Sequence, residues 1–459
     1  MSISRTRPTP PPLSLPSRQS DKGRRDPALI VDRLGQAIGK DRVTLLDGEG
    51  RSIGGESSRV LVEPQTQEEV GEVLQIASAE EWRVVPAGEG TWLEMGNRPV
   101  ACDLLLSTRR LARLLEYEPA DLTATVEAGL SLREFNRVAR QHRQWIPLDP
   151  FGSPRGTIGA VIATGSAGPL RGGYGTPRDW LIGIRVARID GRLVRAGGKV
   201  VKNVAGYDLT KLYTGSFGTL GVITEATFKL RSIPPAEATI SFFADRPEPL
   251  IELIERLRSA PLELAAMELL SPPRVADLPL PLESYCLLLR LMHEPDAVEA
   301  QISAVGELAA GLNWSRLGED EAAHLWQWYA ESEVDLRGGD FSWRLSLLPA
   351  DLSTVLGELA RQVPELSWRA HVASGIVRLL GGSRLSATKV TGSNTSREAP
   401  SLRQWIQARG GELVQLYPAG AEEFETWGPP GPTFPLMRAL KKTFDPASLL
   451  NPGRYVGRL

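Results

Sequence analysis

Glycine-dense segments beside short apolar runs carry the first chemical signal in this chain. One is Pro86-Ala87-Gly88-Glu89-Gly90-Thr91-Trp92. A second extends from Gly156, Thr157, Gly159 and Ala160 through Thr164, Gly165, Ser166 and Gly168 to Gly172, Gly173 and Gly175, and a third runs from Gly215 to Gly221. Where side chains do not crowd the backbone, successive main-chain N–H groups can surround an anion, so such segments suit a phosphate. Thr91, Thr164, Ser166 and Thr176 would add hydroxyl donors. Tight turns in a β-rich domain are the competing reading of any one cluster. A dinucleotide fingerprint begun at Gly88 and Gly90 would need a third glycine where Leu93 stands, and Gly198-Lys199 is followed by Val200 instead of the Ser or Thr of a nucleotide-binding P-loop.

Side chains able to move protons are few. The histidines are His142, His293, His324 and His371. His371 with Arg378 makes the best pair of base and carboxylate partner, because a guanidinium fork matches carboxylate geometry; a satisfied strand-end histidine and a solvated arginine are the alternative. Trp326, Trp328 and Tyr329 beside His324 suit either a pocket wall or core packing. Lys199, Lys202 and Lys211 read as a basic patch or as solvated loop charges. Cys102 and Cys286 are the only cysteines, too few for an iron-sulfur cluster, a four-thiolate zinc site or a disulfide framework, and no metal site is expected. With 55 acidic and 53 basic residues the chain has no one-signed field for nucleic acid or an anionic membrane. No apolar run approaches the ~20 residues of a membrane span, so direct membrane insertion is not expected and a cytoplasmic location is.

The elements that must hold these groups follow from periodicity. In 459 residues there is room for two or three domains. Residues 1–26, proline- and arginine-rich, read as a disordered tail. Over residues 27–233 strands and helices alternate. Thr66 with Glu69 caps a helix carrying Val70, Val73, Leu74 and Ala77 on one face, which leads to a strand at Arg83 to Val85. Thr123 to Ala128 is a strand followed by a helix opened by Ser131 and Glu134, and residues 181–196 form a hairpin turning at Asp190-Gly191. Val222 to Leu230 alternates as a half-buried strand. Pro234-Pro235 then marks a boundary, and residues 234–440 contain two βαββα-like series. The first includes a strand at Thr239 to Phe243, a helix on Leu250, Leu253, Ile254 and Leu257, and a further helix opened by Asp296 and Glu299. The second runs from Trp343 to a helix at Leu402 to Gln407. A ferredoxin-like second domain is expected, with residues 441–459 returning to the first.

Taken together, the clusters resemble the FAD-binding p-cresol methylhydroxylase and vanillyl-alcohol oxidase superfamily. The resemblance covers Pro86 to Thr91, Thr125 to Gly129, Pro147 to Pro150, Gly156 to Thr164, Gly172 to Asp179, Tyr207 to Leu209 and Gly215 to Glu225, with the ending Phe444-Asp445-Pro446 and Asn451-Pro452-Gly453-Arg454. Within it, Lys202 to Asp208 and Ala370 to Gly375 are most similar to the FAD-binding subunits of glycolate oxidases. The resemblance implies an α+β protein: a two-lobed PCMH-type FAD-binding domain followed by a ferredoxin-like α+β cap. It implies a diphosphate held by Pro86, Ala87, Gly88, Glu89, Gly90, Thr91 and Trp92 and by Pro150, Gly156, Thr157, Gly159, Ala160, Thr164, Gly165 and Ser166. Gly172, Tyr174, Gly175, Thr176 and Asp179 belong to the same cofactor-binding set, and Gly221, Val222 and Ile223 would lie beside adenine. Some members attach FAD through a histidine near the first loop; here that loop has none, so noncovalent FAD is expected. The implied activity is oxidation of a small 2-hydroxy acid such as glycolate or D-lactate, with a second flavoprotein subunit and an iron-sulfur subunit as partners through which any membrane association would arise. A self-sufficient FAD oxidoreductase on another alcohol or sugar acid, and a flavin-binding assembly subunit without turnover, are the alternatives.

Overall fold

The computed structural model describes residues 25–152, 155–199, 206–272, 284–331, 341–362, 366–381, 402–417 and 425–459. Nearly all of the expected N-terminal tail, and Lys202 to Ala205, lie outside these residues.

The N-terminal half builds two sheets around one helix. Val43–Leu45, Val60–Val62, Leu104–Ser107 and Val84–Ala87 lie side by side in that order, parallel except for the first pair. Leu193–Gly197, Leu181–Ala187, Val222–Lys229, Thr123–Glu127 and Leu114–Glu118 make an antiparallel sheet. Helix Gln67–Ala79 is capped by the Thr66 hydroxyl, which accepts from the Glu69 amide at 3.1 Å. Its Val70, Val73, Leu74 and Ala77 share a core with Val62, Val84 and Leu104 of the first sheet and with Ala187 and Val222 of the second, so one amphipathic face joins both lobes.

Val222–Lys229 is buried on both faces over nearly its whole length, not half-buried. Ala226 and Phe228 pack against helices Leu132–Ala139 and Ile158–Thr164. On the other face, polar Glu225 is covered by Gln67 and by Arg195. Alternation read polarity as exposure, whereas here Thr224, Glu225 and Thr227 are buried with hydrogen-bond partners, and an irregularity against the neighbouring strand puts Ile223 in the same core as Ala226 and Phe228.

The second half is an eight-stranded antiparallel sheet in the order Trp314–Arg316, Ala236–Ala244, Tyr285–His293, Leu264–Leu270, Ser367–His371, Ile376–Gly381, Phe341–Ser346, Glu412–Tyr417. Each run of four is one βαββαβ unit in ferredoxin-like order, and the units meet where Leu264–Leu270 pairs with Ser367–His371. Helices Glu248–Arg258, Pro295–Leu308 and Leu352–Gln362 cover one face with a core that includes Leu269, Trp343, Trp368, Ala370 and Val377. Pro295–Leu308 opens on Glu294 with proline in its first turn and no side-chain cap, so Asp296 and Glu299 do not form the expected box; Glu299 instead pairs with Arg316.

The tail returns to the first lobe. Leu449 and Asn451 bond to Val84 along the edge of the four-stranded sheet. Buried Asp445 holds that turn, accepting from Lys441 at 2.6 Å and from the amides of Leu449 and Leu450. No helix among the described residues is long and apolar enough to cross a membrane.

Candidate active site

Strand Val84–Ala87 ends in the first glycine segment, and helix Ile158–Thr164 starts beside it, its N-terminus capped by Thr157. Between them opens a cleft of about 640 Å³, open to solvent, bordered by Pro86, Ala87, Gly88, Gly90, Thr91, Trp92, Gly159, Ala160, Thr164, Gly221, Val222 and Ile223. Among the described residues no acceptor meets the main-chain N–H groups of Gly88, Glu89, Gly90 and Thr91. A run of consecutive amides without protein acceptors forms an anion nest. Val222–Lys229 projects past the ladder of its neighbour Thr123–Glu127, which leaves the main chain at Val222 and Ile223 on the cleft wall. An elongated diphosphate with an aromatic base at one end fits this donor set.

The remaining members of the sequence-derived set lie around the cleft in other roles. Glu89 is exposed and its carbonyl accepts from Arg51 at 2.9 Å. Thr157 lies beneath Gly88, while Gly165 and Ser166 line a second cavity. Gly156 presents its carbonyl to the amide of Leu132, and Pro150 lies outside the cleft lining. Gly172 and Gly173 sit against His371, Ala373 and Ala265 of the cap sheet, where a Cβ would collide. Tyr174 stacks edge-on to Trp145, and Gly175 and Thr176 lead into a short helix whose capping acid is Asp179, accepting from the Thr176 amide at 2.8 Å. Lys199 pairs with Glu116 and Lys211 with Asp208, so these two lysines form no common patch.

Two further cavities continue from the cleft. The second, about 510 Å³, shares Trp92 and Thr164 with it and is lined by Arg171, Arg344 and Arg378. The third, about 250 Å³, shares Phe151, Ala167, Arg171 and Arg378 with the second and adds Glu268, Tyr329, Arg369, His371 and Ile376. His371 and Arg378, paired on sequence grounds, thus line one cavity. Period-two alternation explains the convergence: Glu268, Arg369, His371, Arg378 and Arg344 all occupy the sheet face opposite the helix-covered core. Helix Glu319–Glu331 adds Tyr329 to this face, whereas Trp326 hydrogen-bonds Thr239 and His324 is exposed.

The electrostatics of this face are unusual. Neither Arg171 nor Arg344 has a carboxylate within ion-pair distance among the described residues. Burial and the neighbouring guanidiniums lower Arg344 to about 10, and the same causes lower Arg171. Burial, aided by Arg171, lowers His371 to about 4. Its Nε2 lies 3.0 Å from the Pro169 carbonyl, which can only accept, so the ring is the neutral Nε2–H tautomer. Burial raises Glu268 well above the ordinary carboxylate range, and Asp149 to about 7.

Sequence reasoning missed Arg171, in the short helix Arg171–Tyr174, and Arg344, Arg369 and Glu268, whose signal is the alternation of charged with apolar residues in strands otherwise apolar. It quoted Asn451 and Arg454 only for resemblance. Both border the cleft, Asn451 donating to the Phe217 carbonyl and Arg454 to the carbonyls of Leu93 and Met95.

Comparison with known proteins agrees with this geometry. Residues 58–197 match the FAD binding domain family and residues 426–455 the FAD linked oxidases, C-terminal domain family. The chain is 27% identical over 425 residues to glycolate oxidase subunit GlcD of Bacillus subtilis, covering 87% of this chain and 89% of that one. It is 28% identical over 415 residues to a D-2-hydroxyglutarate dehydrogenase of Xanthomonas citri, covering 85% and 88%. An alkyldihydroxyacetonephosphate synthase structure shares the fold, with a TM-score of 0.69 at 17% identity over 92% of this chain and 84% of that one. With the nest, the cleft and both domain matches in agreement, the chain carries an FAD binding domain at residues 58–197 and is an FAD-dependent oxidoreductase.

Proposed function

We propose that the chain oxidises the C2 hydroxyl of a small 2-hydroxy acid, as the FAD-carrying component of a dehydrogenase of the glycolate or D-lactate type that passes electrons to partner subunits. Its relatives are FAD-linked enzymes of hydroxy acids, acting on CH–OH groups. The observation that carries the proposal is the guanidinium-lined cavity contiguous with the FAD cleft.

The Gly88 to Thr91 amides would hold the diphosphate, with Thr164 and Ser166 toward the second cavity and Val222 and Ile223 toward adenine. When bound, FAD supplies the two-electron acceptor for the substrate C–H bond. Arg378, fixed 3.8 Å over the Phe151 ring, presents its fork to the substrate carboxylate together with Arg171. His371, neutral, lines the same cavity and is the acceptor that the sequence suggested. Burial between the lobes excludes water and strengthens each of these contacts. A second flavoprotein and an iron-sulfur subunit would take the electrons onward, since two cysteines cannot hold a cluster.

The test is anaerobic bleaching of the purified protein's flavin by glycolate and by D-lactate, before and after adding co-purifying partners. Bleaching alone identifies an enzyme active by itself, and bleaching only with partners identifies a component. Failure of both acids under both conditions refutes the proposal.

A further inference from the structure

The third cavity contains a second candidate acceptor that the sequence did not suggest. Glu268 is fully buried and lies directly across the strand seam from His371 in register. The Tyr329 hydroxyl donates to its Oε2, while Oε1 has no hydrogen-bond partner among the described residues. His371 Nε2 is 3.7 Å from that Oε1, too far for a hydrogen bond, and its proton is already given to Pro169. Glu268 lines the third cavity, and a buried carboxylate oxygen without a partner is costly unless a donor reaches it. A substrate hydroxyl is such a donor.

Resting on the 2-hydroxy-acid reading above, we propose that Glu268 is the catalytic base, its carboxylate accepting the proton of the substrate C2 hydroxyl. The O–H bond breaks toward Oε1 as the C2–H hydride leaves to FAD. The two electrons of the C–H bond reduce the cofactor, the substrate becomes a 2-oxo acid, and the proton remains on Glu268 until it is released. His371 is the weaker holder: with its pKa at about 4, roughly one ring in a thousand is protonated at pH 7. Burial moves the Glu268 carboxyl upward from the ordinary carboxylate range, the direction in which enzymes tune a carboxyl group for proton transfer.

The groups facing Glu268 come from every neighbouring element: Tyr329 from the helix, Arg369 and His371 from one strand, Arg378 from the next, Arg171 from the cofactor lobe. Asp149, with Arg290 near it, lies beyond. Because only ionised Glu268 accepts, flavin reduction should rise with pH through its raised pKa.

The test is stopped-flow flavin reduction by glycolate and D-lactate across pH, on FAD-loaded protein with its partners, for wild type, E268Q, H371Q, D149N and Y329F. Expected are a 10²–10⁴-fold slower reduction and loss of the rising limb in E268Q with flavin content retained, and a limb that survives in H371Q and D149N. Y329F removes a bond that favours the carboxylate, so its limb moves to higher pH; this arm decides the matter should E268Q fail to fold. Near-normal reduction by E268Q, a limb lost in H371Q or D149N but kept in E268Q, or an unmoved limb in Y329F overturns the assignment while leaving the hydroxy-acid reading intact. Absence of bleaching in wild type overturns both.

Discussion

Replacing Gly88 by alanine tests how the two cofactor loops are held. A Cβ there would point away from the cleft into Thr157, 2.8 Å from Cγ2 and 2.9 Å from Cβ, with Oγ1 nearer still. Rotation about χ1 moves the hydroxyl and methyl but not the Thr157 Cβ, so the loops must separate. Overpacking of this kind costs about 1–3 kcal/mol. Thr157 is also the N-cap of Ile158–Thr164, its hydroxyl 3.4 Å from the Ala160 amide, and a displaced cap adds about 0.5–2 kcal/mol. G88A should therefore lose roughly 2–4 kcal/mol and release FAD at lower temperature, read by flavin fluorescence on heating and by the ratio of flavin to protein absorbance after gel filtration. G88A/T157G removes the collision and leaves glycine at the cap, worth only a few tenths less than the best caps. It should regain most of the loss, a coupling of about 1–3 kcal/mol. A G88A protein that retains flavin and melts like wild type, or a double variant no better than the single one, refutes the loop-against-loop argument.

Other perturbations have equally definite outcomes. D445A leaves Lys441 buried without its partner and frees the Leu449 and Leu450 amides; it should cost about 3–5 kcal/mol in chemical denaturation and loosen flavin, since that turn pins Asn451 and Arg454 at the cleft. R378K keeps the charge but loses the fork over Phe151, so KM for the hydroxy acid should rise about 10–100-fold with a smaller change in kcat, from the ~1.5–3 kcal/mol of a charge-assisted hydrogen bond. Asp149 binds its proton more tightly folded than unfolded, its pKa raised from 3.8 to about 7. Its share of stability is therefore full below 3.8 and declines as pH rises toward 7, and D149N should flatten that part of the melting-temperature profile.

The parts of this molecule legible in the sequence are those set by local rules. The Thr66 and Ser131 caps, the Asp190-Gly191 turn and the helix Leu402–Gln407 depend on neighbours within a few residues, and each is present. Glycine spacing likewise marked the segments that surround the cleft. Its physical reason is different from the expected one at several positions. A Cβ at Gly88 meets Thr157, at Gly159 Ala128, at Gly173 Ala265 and at Gly221 Val186, so these glycines bring protein elements together, and the amides converge as a result. His371 and Arg378 stood out in the sequence, but the face as a whole was not legible because its five residues come from four strands whose order in the sheet is fixed by long-range pairing. Each alone reads as an ordinary charged residue in a strand.

That pairing also accounts for the chemistry of the seam. The two βαββαβ units join through Leu264–Leu270 and Ser367–His371, whose register sets Glu268 against His371 and Leu270 against Arg369. The same burial acts oppositely on the two titratable partners, raising the acid and lowering the imidazole. Both are driven toward their neutral forms, so the 3.7 Å approach is no ion pair. Arg171, Arg369 and Arg378 surround one acid in the cavity. Arg378 and Arg369 oppose the rise of Glu268 without cancelling it, and an entering substrate carboxylate weakens that opposition further. Anion binding and proton abstraction in the same small space therefore pull in opposite directions, which places the productive range on the alkaline side of the Glu268 titration.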